Sequence, residues 1–165
     1  MPRTIENIKS ILGTSTLPGL GPTRRPEALP LNKILKDIDD LLATTKLSEN
    51  NSEKIRSASL LWHDHLAESH EISQGLHDAD GSFLHAIMHR REPDYPNAKY
   101  WFNRAGNHPS YQEIHKCVEA ISSSTNLLGK SINWNAIEMV DAVSGADPSS
   151  EEYSLLQQVQ QIEFE

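Results

Sequence analysis

Residues 31–45 read LNKILKDIDDLLATT. Leu31, Ile34, Leu35, Ile38, Leu41 and Leu42 recur there at i, i+3, i+4 and i+7. Each residue of an α-helix turns by about 100°, so these six side chains fall on one stripe. A strand would need apolar and polar residues to alternate, and no stretch of the chain does so convincingly. The helical pattern repeats on both sides. A helix is expected over 52–73, ending before Gly75. Another fits 81–92 and must stop before Pro93, because a residue ahead of proline avoids the α region. Pro96 suits the first turn of a helix over 96–105, and Gly106 suits its end. Ser110 and Glu113 make a capping box for a helix carrying Tyr111, Ile114, Cys117, Val118 and Ile121 on one face. Residues 134–143 read as a further helix. Ser149 and Glu152 make a second capping box, opening a last helix with Tyr153, Leu156, Val159 and Ile162. Near the start, Ile5, Ile8, Ile11 and Leu12 suit a short helix. The expected fold is all-α, an irregular bundle of six to eight helices in a single domain.

Between the first short helix and Leu31, residues 13–30 hold four prolines and three glycines. They read as a linker or an extended wrap over the surface. The expected organisation is therefore a short helix with a Pro/Gly-rich extension over 1–30 and a helical domain over 31–165. The 165 residues suffice for a hydrophobic core. A net charge of −8 argues against indiscriminate binding to nucleic-acid phosphates. No apolar run reaches the roughly 20 residues needed to span a bilayer, and no signal-peptide core opens the chain. Cys117 is the sole cysteine, so no internal disulfide forms and a reducing compartment fits. The expectation is a cytoplasmic protein with no membrane or nucleic-acid partner.

Five of the eight histidines lie in two stretches, WHDHLAESHEIS at 62–73 and HAIMHRRE at 85–92. On one continuous helix over 52–73, Ile55, Ala58, Leu61, Trp62, Leu66 and Ile72 define an apolar arc. His65 falls near its middle and Glu68 at its border, while His63 and His70 share a flank and Asp64 points to water. A polar ring facing a core must find a partner, which makes His65 a candidate. On the 81–92 helix, His85, His89 and Glu92 stand at i, i+4 and i+7. Two imidazoles one turn apart can chelate one ion, and a carboxylate one turn on can join or orient them. A solvated or purely structural role accounts for the same spacing, because HxxxH recurs by chance. His63, His70 and His77 read as surface or rim residues, and His115 as structural. His108 precedes Pro109 in a turn and fits either role.

Arg90, Arg91, Lys99 and Arg104 crowd together in an otherwise acidic chain, with Asp94, Tyr95, Tyr100 and Trp101 among them. Arginine forks bind carboxylate or phosphate, and an aromatic neighbour can cover a ring. The plainer reading pairs these arginines with Glu68, Glu92 or Asp94 across helices.

LLWHDHLAESHEISQ, GSFLHAIMHRREPDYPNAKYWFNRAGNHP and LQQVQQIEFE resemble a family of short all-helical proteins of bacterial and fungal genomes, over about residues 57–165. The resemblance implies a helical fold and no particular activity. In that family the last helix runs on through further aromatic residues, whereas here Glu165 follows Phe164.

Three functions fit these residues. One is an enzyme or binding protein for a small anionic metabolite, with His65, His85, His89 and Glu68 as acid–base groups and Arg90, Arg91, Arg104 and Trp101 as the substrate site. A second uses His85, His89 and Glu92 to hold a divalent metal such as zinc, iron or manganese. The third is a non-catalytic helical module that docks peptides or sibling subunits. No Walker loop, dinucleotide fingerprint or Ser-His-Asp order in the sequence selects among them.

Overall fold

The computed structural model describes residues 2–122 and 133–165, and the side chains of residues 2–5, Ile5 among them, and of residue 7 lie outside the described set. Every regular element in it is helical: α1 (Pro2–Ile11), α2 (Leu31–Ala43), α3 (Glu49–Trp62), α4 (Leu66–Ser73), α5 (Ala79–Arg91), α6 (Tyr95–Ala105), α7 (Tyr111–Ser122), α8 (Ala136–Gly145) and α9 (Glu151–Phe164). The fold is all-α. One helix beyond the expected number arises because the stretch 52–73 forms two helices. No described helix is long and apolar enough to cross a membrane.

The division of 52–73 is local chemistry. The His65 N–H donates to the Leu60 carbonyl at 2.9 Å and the Asp64 N–H to Leu61 at 3.2 Å. These two bonds close the end of α3 as a Schellman motif, which needs a left-handed residue at the position of Asp64. Asp64 has φ 64°. Glycine is usual there, and aspartate tolerates the conformation better than most residues. Its carboxylate is held by the backbone N–H and Nε of Arg25, both at 2.9 Å, and by Nη2 of Arg91 at 2.7 Å. Asp64 is therefore buried, contrary to its expected outward position, and His63 is buried with it. A single helical wheel over 52–73 misplaces both: the helix ends before Asp64, and His63 is covered by the Ile11 carbonyl and the Leu29 N–H.

Helix α5 lies at the centre and packs on α3, α4 and, most extensively, α6. Its first turn abuts Leu76 so closely that a Cβ at Gly81 would lie 2.3 Å from the Leu76 Cβ. The main core gathers Leu61, Phe83, Ile87, Met88, Phe102, Met139, Val140, Leu156 and Val159. A second cluster seats Ile34 and Ile38 of α2 on Leu60 of α3. The segment 13–30 wraps the body: Leu20 and Ala28 are buried, and the Leu20 N–H donates to the Tyr153 hydroxyl at 2.9 Å.

Two caps differ from expectation. Ser150, not Ser149, accepts the Tyr153 N–H and opens α9. The Ser110 hydroxyl turns to His108 instead of capping α7.

Candidate functional site

Three imidazoles meet between α4 and α5. His85 and His89 are one turn apart on α5, and their Nε2 atoms are 3.0 Å from each other. His70 of α4 completes the group, its ring centre 4.8 Å from that of His85 and 5.1 Å from that of His89. One nitrogen from each ring lies within 4.8 Å of the other two. His85 and His89 are buried and His70 is half-buried.

The turn between α5 and α6 folds polar groups back over His89. Asp94 caps α6 by accepting the Asn97 N–H at 3.3 Å. The Asn97 amide nitrogen then lies 3.1 Å from His89 Nε2. Glu92 and Asp94 place carboxylate oxygens 3.4 and 3.9 Å from His89 Nδ1. A proton on Nδ1 facing these carboxylates leaves Nε2 as a bare lone pair. Across the group, Trp101 stacks on His85 with ring centres 4.0 Å apart. The exposed Arg104 guanidinium lies over Trp101, 5.2 Å from its centre.

Burial pushes the His85 pKa down to about 3, and His89 and His70 add to the effect. Burial and His70 also lower that of His89, while Glu92 and Asp94 pull it part of the way back. Both rings are therefore neutral near pH 7. A ring that takes a proton only near pH 3 is a poor general base at neutrality. It is a good ligand, because a neutral imidazole offers a lone pair. His85 Nδ1 is buried and has no hydrogen-bond partner among the described residues.

The other expected site residues lie elsewhere or are otherwise engaged. His65 is buried but turned to the segment 13–30, its Nε2 2.8 Å from the Leu29 carbonyl, so it does not join His85 and His89. Glu68 is half-buried on α4 and is not among the carboxylates that reach an imidazole. Arg90 is fully buried and bound to Glu163 and Gln160 of α9. Arg91 is equally buried, donating to Asp64, to the Leu61 carbonyl at 2.6 Å and to the Gly21 carbonyl. Neither is free to anchor a substrate, and their partners are not the Glu68, Glu92 or Asp94 that proximity in sequence suggests. Glu92 sits beside the far nitrogen of His89, in an orienting position. Of the expected set, His85, His89, Glu92, Trp101 and Arg104 come together. His70 and Asn97 were not expected there; the polar run HDH inside an apolar stripe was the one sign that the helix breaks and swings His70 round.

No family model, curated protein or solved structure matches the chain.

Proposed function

We propose that this protein binds a divalent transition metal, zinc being the best fit, through His70, His85 and His89. The observation that carries the reading is the convergence of three imidazole nitrogens within 4.8 Å on two packed helices. Ligands about 2.0–2.1 Å from a tetrahedral zinc lie roughly 3.3 Å from one another. The His85–His89 separation of 3.0 Å is already near that figure, and a small rotation of His70 closes the set. An all-imidazole donor set favours zinc, copper or nickel over magnesium or calcium. Glu92 on His89 Nδ1 is the kind of outer partner that fixes a ligating ring and raises its basicity.

Three protein ligands leave a fourth position for water or substrate, the arrangement of catalytic rather than structural zinc. Among the described residues no carboxylate pairs with Arg104, the remaining cation of the expected anion site, and it stands over Trp101 beside the centre. A small anionic ligand held between the metal and Arg104 suits these groups. The chemistry would be metal-assisted hydration or hydrolysis.

The test is calorimetric titration of tag-free protein with Zn²⁺, with Co²⁺ absorption as a report of geometry. One tight equivalent and a tetrahedral Co²⁺ spectrum are expected. His70→Ala, His85→Ala and His89→Ala should each weaken binding by at least about tenfold. Binding that is absent, or indifferent to His70→Ala in a folded variant, removes the proposal.

A further inference from the structure

Outside the histidine centre, a second chain of polar groups crosses the mouth of a cavity. The Ser110 hydroxyl lies 2.7 Å from His108 Nδ1, and His108 Nε2 lies 2.9 Å from Asp80 Oδ1. The Ser110 backbone N–H also points at Nδ1, at 3.3 Å. A nitrogen that faces an N–H donor must be the bare one, so Nδ1 carries the lone pair and Nε2–H donates to the carboxylate. The hydroxyl then donates to Nδ1. Phe83 stacks on the buried His108 ring at 4.9 Å and holds its plane. The Lys54 ammonium, 2.6 Å from Asp80, keeps that carboxyl below the usual range and hence ionised. All four polar residues border a cavity of about 320 Å³, whose apolar wall includes Ile55, Ala58, Leu84 and Phe164.

We propose that Asp80, His108 and Ser110 form an acyl-transfer site for carboxylic esters with a short apolar acyl chain, the chain lying in this cavity. Two features support it. The serine hydroxyl is not spent on capping α7, where the sequence would place it. The base that receives its proton is oriented by a carboxylate, the arrangement that activates serine nucleophiles. The order of ring nitrogens is the reverse of the usual serine-hydrolase order, yet either imidazole nitrogen can take the proton.

In the first step Ser110 Oγ forms a bond to the acyl carbon while its proton passes to His108 Nδ1. The bond from that carbon to the alcohol oxygen breaks, its electron pair stays on oxygen, and the oxygen takes the proton back from Nδ1. Water then adds to the acyl-serine, giving its proton to Nδ1. The Ser110 Oγ–carbon bond breaks, Oγ regains the proton, and the free acid leaves. As Nδ1 becomes protonated it stops accepting from the Ser110 N–H, which is thereby released towards the oxyanion. A nucleophile's own N–H serves this purpose in serine proteases.

The full-length protein is treated with a fluorophosphonate probe and, separately, assayed with p-nitrophenyl butyrate. Both reactions are run in EDTA so that the three-histidine centre takes no part. The expected result is one phosphonyl adduct on the peptide carrying Ser110, and ester hydrolysis that Ser110→Ala lowers at least about tenfold. Asp80→Asn leaves Ser110 and α7 untouched and should slow labelling at least about tenfold while thermal unfolding stays cooperative. A label that fails to form, a label on another residue, or an Asp80→Asn labelling rate equal to that of the parent would overturn the proposal.

Discussion

Helix α5 carries two pairs of basic residues within two turns, and their circumstances are opposite. Arg90 and Arg91 are fully buried, and each is matched by a carboxylate and by further oxygens of the chain. His85 and His89 are also buried, yet they face each other and His70, and His85 Nδ1 has no partner among the described residues. A buried cation whose charge is matched by a carboxylate within the fold is a structural group, even where one nitrogen, Arg90 Nε, has no partner among the described residues. Neutral imidazoles that face one another with no counter-charge between them are a ready set of ligands. Burial alone does not separate structure from function on α5; what each group faces does.

The largest effect should come from the arginine side. Asp64→Ala leaves Arg91 buried without its counter-charge, and breaking such a pair costs about 3–5 kcal/mol. Denaturant unfolding should show the loss, and metal affinity of the remaining folded protein should fall as well, because the turn at Asp64 sets where α4 places His70. Asp64→Asn keeps a residue tolerant of the left-handed backbone, so the share of the loss that it retains belongs to the charge. Unchanged zinc binding by folded Asp64→Ala would mean that the turn does not position His70.

Next in size is a packing change that spares both pairs. Gly81→Ala puts a Cβ 2.3 Å from the Leu76 Cβ and 2.7 Å from its carbonyl oxygen. One contact is with backbone and cannot swing aside, so overpacking of about 1–3 kcal/mol is expected in the unfolding midpoint. A neutral result would mean that the segment at Leu76, between α4 and α5, moves aside without loss.

The same contrast explains what the sequence discloses. Ile34, Ile38 and Leu41 of the 31–45 stripe are buried as their period requires, because a helix face is a local property. His85 and His89 are brought together by the same local rule. His70 escapes it because the break at Asp64 depends on Arg25, 39 residues away. The role of Arg90 depends on Glu163, 73 residues away. Spacing reveals that these arginines are grouped; only the fold reveals that Glu163 of α9 and Asp64 at the end of α3 neutralise them.

Acid should act on the two regions over different windows. His85 is neutral in the fold, with its pKa near 3, and an unfolded histidine titrates near 6.5. The unfolded chain therefore takes up the proton first. The stability linked to His85 is complete above about pH 6.5 and declines as pH falls towards the folded value. His63, lowered chiefly by burial, acts in the same direction. Asp64, whose carboxyl is held down by Arg25 and Arg91 against the effect of burial, contributes fully above about pH 3.9 and loses that contribution only below it. Urea midpoints should fall between about pH 7 and about pH 5, and the fall should shrink in His85→Leu. An undiminished fall would place the titration outside the histidine group.

The smallest expected effect isolates the carboxylate that orients the centre. Glu92 is exposed and touches His89 from outside, 3.4 Å from Nδ1. Glu92→Gln should leave stability almost unchanged, because an exposed contact of this kind contributes little. Its influence on a ligating ring is another matter: outer partners of metal-bound histidines change affinity by about 10–100-fold. A drop near the lower end is expected, since Asp94 stands 3.9 Å from the same nitrogen and can take over part of the role. The double variant Glu92→Gln/Asp94→Asn should then lose more than the sum of the two single losses, read from Zn²⁺ titrations. Strictly additive losses would mean that the two carboxylates act on the ring independently, and no loss in the double variant would mean that neither orients it.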